Sequence, residues 1–110
     1  MTRGDDKRVG DILGAADEIA SIVAMGRSRF ESDPVVRRAA ERLLDIIGTA
    51  AGALSHELVE ANPGLEVGKA EALRNLLSHE YWRSDDEILW QTITSSVPEF
   101  AERLSAVSSP

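Results

Sequence analysis

The chain has no cysteine in its 110 residues, which excludes disulfides, thiolate metal ligands and a cysteine nucleophile. No apolar run approaches the ~20 residues that cross a bilayer. The opening stretch, Met1 to Arg8, is polar and lacks the apolar core of a secretory signal. A cytoplasmic protein without a membrane partner is therefore expected. There are only two histidines and no recognisable metal-ligand spacing, so neither metal nor cofactor is expected. No segment alternates with period two over a strand's length, which excludes a sheet. Repeats, low-complexity tracts and linkers are also absent. One domain over 1–110 is expected, frayed at about 1–4 and 107–110.

A basic excess is missing as well. Twelve Lys and Arg stand against nineteen Asp and Glu, a net charge of −7. Such a chain is not a general nucleic-acid binder, because those neutralise phosphates with a basic surface. DNA is not an expected partner. The charge is uneven, however. Residues 63–83 hold three basic and three acidic side chains, whereas 84–110 hold one and five. A polyanion is expected to dock near 63–83 and to avoid the last helix.

What is present is helical periodicity. Val9, Ile12, Leu13, Ala16, Ile19, Ala20 and Val23 recur at three- and four-residue steps, predicting a first helix over 5–25 that stops at Gly26. A loop should then lead from Phe30 to Asp33, with Asp33 as cap and Pro34 in the first helical position. The second helix is predicted over 34–61. One stripe holds Val36, Ala40, Leu43, Ile47, Ala51, Leu54 and Leu58. A second stripe holds Val35, Ala39, Ile46, Ala50 and Ala53, a surface wide enough either for tight packing in one bundle or for a dimer seam. Asn62-Pro63-Gly64 reads as a turn, and a third helix is predicted from 66 to about 78. Ser84 to Glu87 has capping-box spacing. The fourth helix follows through Leu89, Ile93, Phe100 and Leu104, kinked at Pro98. The expected fold is all-α: an antiparallel, up-and-down four-helix bundle that dimerises.

The segment Arg74-Asn75-Leu76-Leu77-Ser78-His79-Glu80-Tyr81-Trp82 concentrates polar chemistry beside an apolar stripe. Histidine serves as general acid or base near neutral pH. The arginine fork holds phosphate oxygens as charge builds in the transition state. RNA brings its own nucleophile, the ribose 2′-hydroxyl. Arg74 and His79 lie roughly 140° apart around a regular helix, so two antiparallel copies would pool them better than one chain alone. The same residues also suit a plainer role, as cations near a helix C-terminus, with Tyr81 and Trp82 sealing the bundle's end. His56 reads as a surface residue.

The pattern Arg74-x4-His79-x-Tyr81 resembles the signature of HepT-like toxins of the HEPN superfamily. The likeness extends to Asp11-Ile12-Leu13, Arg42-Leu43-x-x-Ile46-Ile47-Gly48, Leu54-Ser55-x-Glu57-Leu58, Asn62-Pro63, Asp85-x-Glu87-Ile88-Leu89-Trp90 and Val97-Pro98. It implies a homodimeric, metal-independent endoribonuclease, the toxin of a type VII-like toxin–antitoxin system. Arg74 and His79 would be its catalytic pair, with Asn75 and Tyr81 supporting the site. RNA, transfer or messenger, would be the substrate. A separate MntA-like nucleotidyltransferase antitoxin would be the partner, able to attach AMP to Tyr81. The chain departs from the family pattern at Gly48-Thr49-Ala50, where relatives often carry Gly-Glu-Ala. The alternative is a dimeric, non-catalytic HEPN module that docks a nucleotidyltransferase or other partner.

Overall fold

The computed structural model describes residues 3–65 and 85–108, apart from the side chain of Ser108. Among the described residues the chain is helical throughout, without a strand, as the periodicity predicts. The helices are α1 (Arg3–Ala24), α2 (Arg27–Ser32), α3 (Pro34–Gly52), α4 (His56–Ala61), α5 (Asp86–Gln91) and α6 (Val97–Ser108). A 3-10 turn, Pro63–Leu65, follows α4, and a π-helical turn, Thr92–Ser96, joins α5 to α6. The predicted third helix, at 66–78, lies outside the described residues.

Helix α1 buries Val9, Ile12, Ala15, Ile19 and Ile22. Leu13, Ala16 and Val23 flank this stripe and are partly covered, whereas Ala20 is exposed. The helix already includes Arg3 and Gly4, and α6 reaches Ser108, so helical order extends into both ends expected to fray. The reason at the front is the wholly buried Asp5, which ties the first turn down. Gly26 ends the run with φ of 92°, a left-handed conformation that glycine adopts without a Cβ clash.

The predicted loop at Phe30 is instead the short helix α2, which drives Phe30 fully into the core. Asp33 and Pro34 behave as expected: the Asp33 carboxylate accepts the Val35 amide at 3.0 Å, and proline opens α3. Helix α3 buries the first stripe through Val36, Ala40, Leu43, Ile47 and Ala51. The second stripe divides. Ala50 is buried, but Val35 is 72% exposed, and Ala39 and Ala53 are open as well.

The single helix predicted over 34–61 is two helices, α3 and α4. Apolar spacing continues across the break, so periodicity could not reveal it. Ser55 supplies the reason: its hydroxyl caps α4 by accepting the Leu58 amide at 3.1 Å. Its own amide turns to Asp5 at 2.9 Å rather than to the helix behind it.

Asp5 therefore meets Ser55, and α1 runs antiparallel to α3. Val107 also lies near Asp5, while Trp90 packs on Phe30 with ring centroids 5.2 Å apart. The α5–α6 rod thus packs on α1 and runs antiparallel to it, in the same direction as α3. Leu65 sits near the end where α3 finishes, and Asp85 near the end where it begins. Phe30, Leu44, Ile47, Leu89, Ile93, Phe100 and Leu104 fill the space between, each with at most 2% of its surface exposed.

Pro98 does not act by an isolated kink. Thr92–Ser96 widen into a π turn just before it, with the Val97 amide reaching the Thr92 carbonyl. The Thr92 and Thr94 hydroxyls donate to the carbonyls of Ile88 and Trp90, at 2.7 and 2.8 Å. Such bulges re-aim a helix and its hydrogen bonds.

Candidate functional site

Arg74, Asn75, His79 and Tyr81 all lie outside the described residues. What the structure describes is how the chain is held on either side of them. Both anchors escaped the sequence reading.

The incoming anchor begins at Asp5. Its two carboxylate oxygens accept the Ser55 amide at 2.9 Å and the Ser55 hydroxyl at 2.6 Å. A carboxylate removed from water needs such donors, and Asp5 is fully buried. Helix α4 then closes on itself, the Asn62 side-chain amide donating to the Leu58 carbonyl at 2.9 Å. Leu65 turns inward, 2% exposed, and Arg103 of α6 donates to the Gly64 carbonyl at 2.9 Å. A signal did exist: Asp5 sits four residues before Val9, in register with the apolar stripe.

The outgoing anchor is electrostatic. Asp85, rather than Ser84, caps α5, accepting the Glu87 and Ile88 amides at 2.8 and 3.2 Å. Arg27 pairs with both Glu31 and Glu87, and Arg37 with both Glu41 and Asp86. Hydrogen bonding to Arg27, then to Gln91, holds the Glu87 carboxyl below its ordinary range. Bonds to Glu31 and Glu87 raise Arg27 in turn. The Arg27 guanidinium also lies 5.9 Å from the centre of the Trp90 ring. His56 is on the surface as expected, its imidazole 2.8 Å from Glu60.

Between α1 and α3 runs a groove of about 500 Å³. Lys7, Arg8 and Asp11 line one wall, and Arg42, Asp45 and Thr49 line the other. Thr49, the position that departs from the family pattern, thus faces a cleft rather than the core. Among the described residues no cluster of three or more His, Asp or Glu could hold a metal ion. None of the described helices is long and apolar enough to cross a membrane.

The sequence model of the HepT-like ribonuclease family matches residues 12–107, from the third turn of α1 to near the end of α6. The chain belongs to the HepT-like ribonuclease family. A protein of Caldanaerobacter subterraneus subsp. tengcongensis that bears the name "Putative RNase" is 33% identical over 78 residues, spanning 71% of this chain and 70% of its own. A protein of the same name from Methanocaldococcus jannaschii is 28% identical over 98 residues, 88% of this chain and 90% of its own. A second from that organism is 24% identical over 98 residues, 88% and 84% of the two chains. No solved structure matches the chain. The bounds of the HepT-like match include the segment that carries Arg74 and His79, and the family is the one that the resemblance led one to expect.

Proposed function

We propose that this HepT-like chain is a toxin-type endoribonuclease that works as a homodimer and without a metal. The observation that carries the reading is the family match over residues 12–107, which contains the whole Arg74-x4-His79-x-Tyr81 pattern. Relatives named as RNases support RNA as the substrate class.

His79 takes the proton of a ribose 2′-hydroxyl, whose oxygen attacks the adjacent phosphorus. The bond to the 5′-oxygen breaks, and a protonated imidazole returns a proton to that leaving oxygen. Arg74 holds the phosphate oxygens as their charge grows, and Asn75 orients the pair. The products are a 2′,3′-cyclic phosphate and a 5′-hydroxyl. Two subunits pool their pairs across a two-fold axis, and the open Val35–Ala39 end of α3 gives the second copy apolar surface to cover. A nucleotidyltransferase antitoxin silences the site by placing AMP on Tyr81, adding bulk and negative charge where phosphate must bind.

End-group analysis tests the chemistry. RNA fragments from the wild-type protein should carry cyclic phosphate and a free 5′-hydroxyl, with or without EDTA. Fragments with 5′-phosphate, or cleavage abolished by EDTA, would refute the mechanism. A protein that binds a nucleotidyltransferase yet never cuts RNA would favour the non-catalytic module.

A further inference from the structure

The groove between α1 and α3 brings basic side chains of two helices to one cleft. Outside the groove three of the described cations are bound up with acids, while Arg3 and Arg38 form no salt bridge with a described carboxylate. Arg27 is held by Glu31 and Glu87, Arg29 by Asp33, and Arg37 by Glu41 and Asp86. In the groove only Lys7 is so held, by Asp11 at 3.4 Å. Arg8 on α1 and Arg42 on α3 face the same cleft, and no described carboxylate forms a salt bridge with either.

Asp45 is the remaining acid of the wall and is engaged in an interaction of its own. With the Lys7–Asp11 pair cancelling, the described lining carries a net charge of +1 on a protein of −7. Arg38, exposed and one turn ahead of Arg42, extends the same face by about 5–6 Å. Thr49 adds a hydroxyl on the same wall.

We infer that this groove is an RNA contact, binding the phosphate backbone of the substrate strand through Arg8 and Arg42. It rests on the ribonuclease reading for its substrate class. Two arginines on opposite walls hold phosphate oxygens in planar, forked geometry. They carry no base information, so the contact sets affinity and register rather than cleavage preference. It also shows how an acidic protein engages RNA: locally, on a strip where its acids are already committed.

The test uses the full-length protein and a fluorescent 2′-O-methyl oligouridylate, which lacks the nucleophile and cannot be cut. Arg8→Gln and Arg42→Gln should each weaken binding about tenfold, the worth of a charge-assisted hydrogen bond. Each should also lower the slope of log affinity against log salt by about 0.7, one phosphate contact on a single strand. Arg42→Lys should restore part of the loss. Thr49→Glu should weaken binding too, by bringing a negative charge to the wall. Arg29→Gln removes equal charge at the far end of α1 and should leave both quantities unchanged. Equal losses in all arginine variants, or none at Arg8 and Arg42, would overturn the inference. So would a changed oligomer mass in Arg42→Gln with RNA affinity intact, since that face would then meet protein. Cleavage of unmodified RNA is measured in parallel. Lost binding in groove variants of a protein that cuts nothing would sink the ribonuclease reading and leave the groove standing.

Discussion

At the scale of the residue, Asp5 and Ser55 matter most among the described side chains. The carboxylate is fully buried and accepts two hydrogen bonds from one residue fifty positions away. Removing it leaves the Ser55 amide and hydroxyl without their acceptor in a partly buried place. Asp5→Ala should therefore cost about 2–4 kcal/mol, read from urea unfolding. Ser55→Ala, which removes the cap but keeps the amide bond, should cost less, about 1–2 kcal/mol. Equal stability in Asp5→Ala and the wild type would contradict the structure. The clasp went unread, although an aspartate in step with an apolar stripe asks for a partner. The identity of that partner was not legible, because only tertiary packing brings residue 55 to residue 5.

Surface carboxylates behave differently. Glu87 is held below its ordinary value of 4.5 by Arg27 first, and Asp33 below 3.8 by Arg29 and the Val35 amide. A depressed carboxyl stabilises the fold fully above its unfolded value, and that contribution is lost as pH falls through the folded one. Both groups are exposed and screened, so the effect is small. The urea midpoint of the wild type should fall more steeply below about pH 4.5 than that of Glu87→Gln. Parallel acid profiles would contradict the pairing with Arg27.

At the scale of the element, the outgoing anchor joins three helices: Arg27 of α2 and Arg37 of α3 grip the first turn of α5. Reversing one charge should lower the melting temperature and reversing both should recover it. Arg37→Asp with Asp86→Arg is the double variant to compare with each single one. No recovery in the pair would mean that the two side chains act independently.

Elements also show where sequence reasoning stops. The stripes of α1 and α3 were readable because burial follows a 3.6-residue period. The break at Ala53–Ser55 was not, because apolar spacing runs through it and the serine's preference for a cap prevails only once Asp5 takes its amide. Helix α2 was missed because a six-residue helix shows too little of a period to detect. Pro98 marked a disturbance correctly, but its form, a π turn stitched by two threonine hydroxyls, depends on side chains ahead of the proline. Because that turn already accommodates the ring, Pro98→Ala should change stability by under about 1 kcal/mol, well below the ~3 kcal/mol of a proline forced into a regular helix. A gain near the full amount would show the turn to be strained.

At the scale of the whole molecule, an acidic all-helical chain belongs to a ribonuclease family. Fold class was legible from periodicity, and family from a short polar pattern in helical surroundings. The groove was not legible, because it draws Arg8 and Arg42 from distant segments, whereas charge counted along the chain points only to 63–83. In the proposed reading Arg74 and His79 cut RNA without a metal. Wild-type protein, Arg74→Ala and His79→Ala, incubated with transfer RNA and total RNA in the presence of EDTA, test it most directly. The account predicts fragments from the wild type alone, with all three proteins equally helical by circular dichroism. Cleavage persisting in both variants, or absent from a folded wild type, would contradict it.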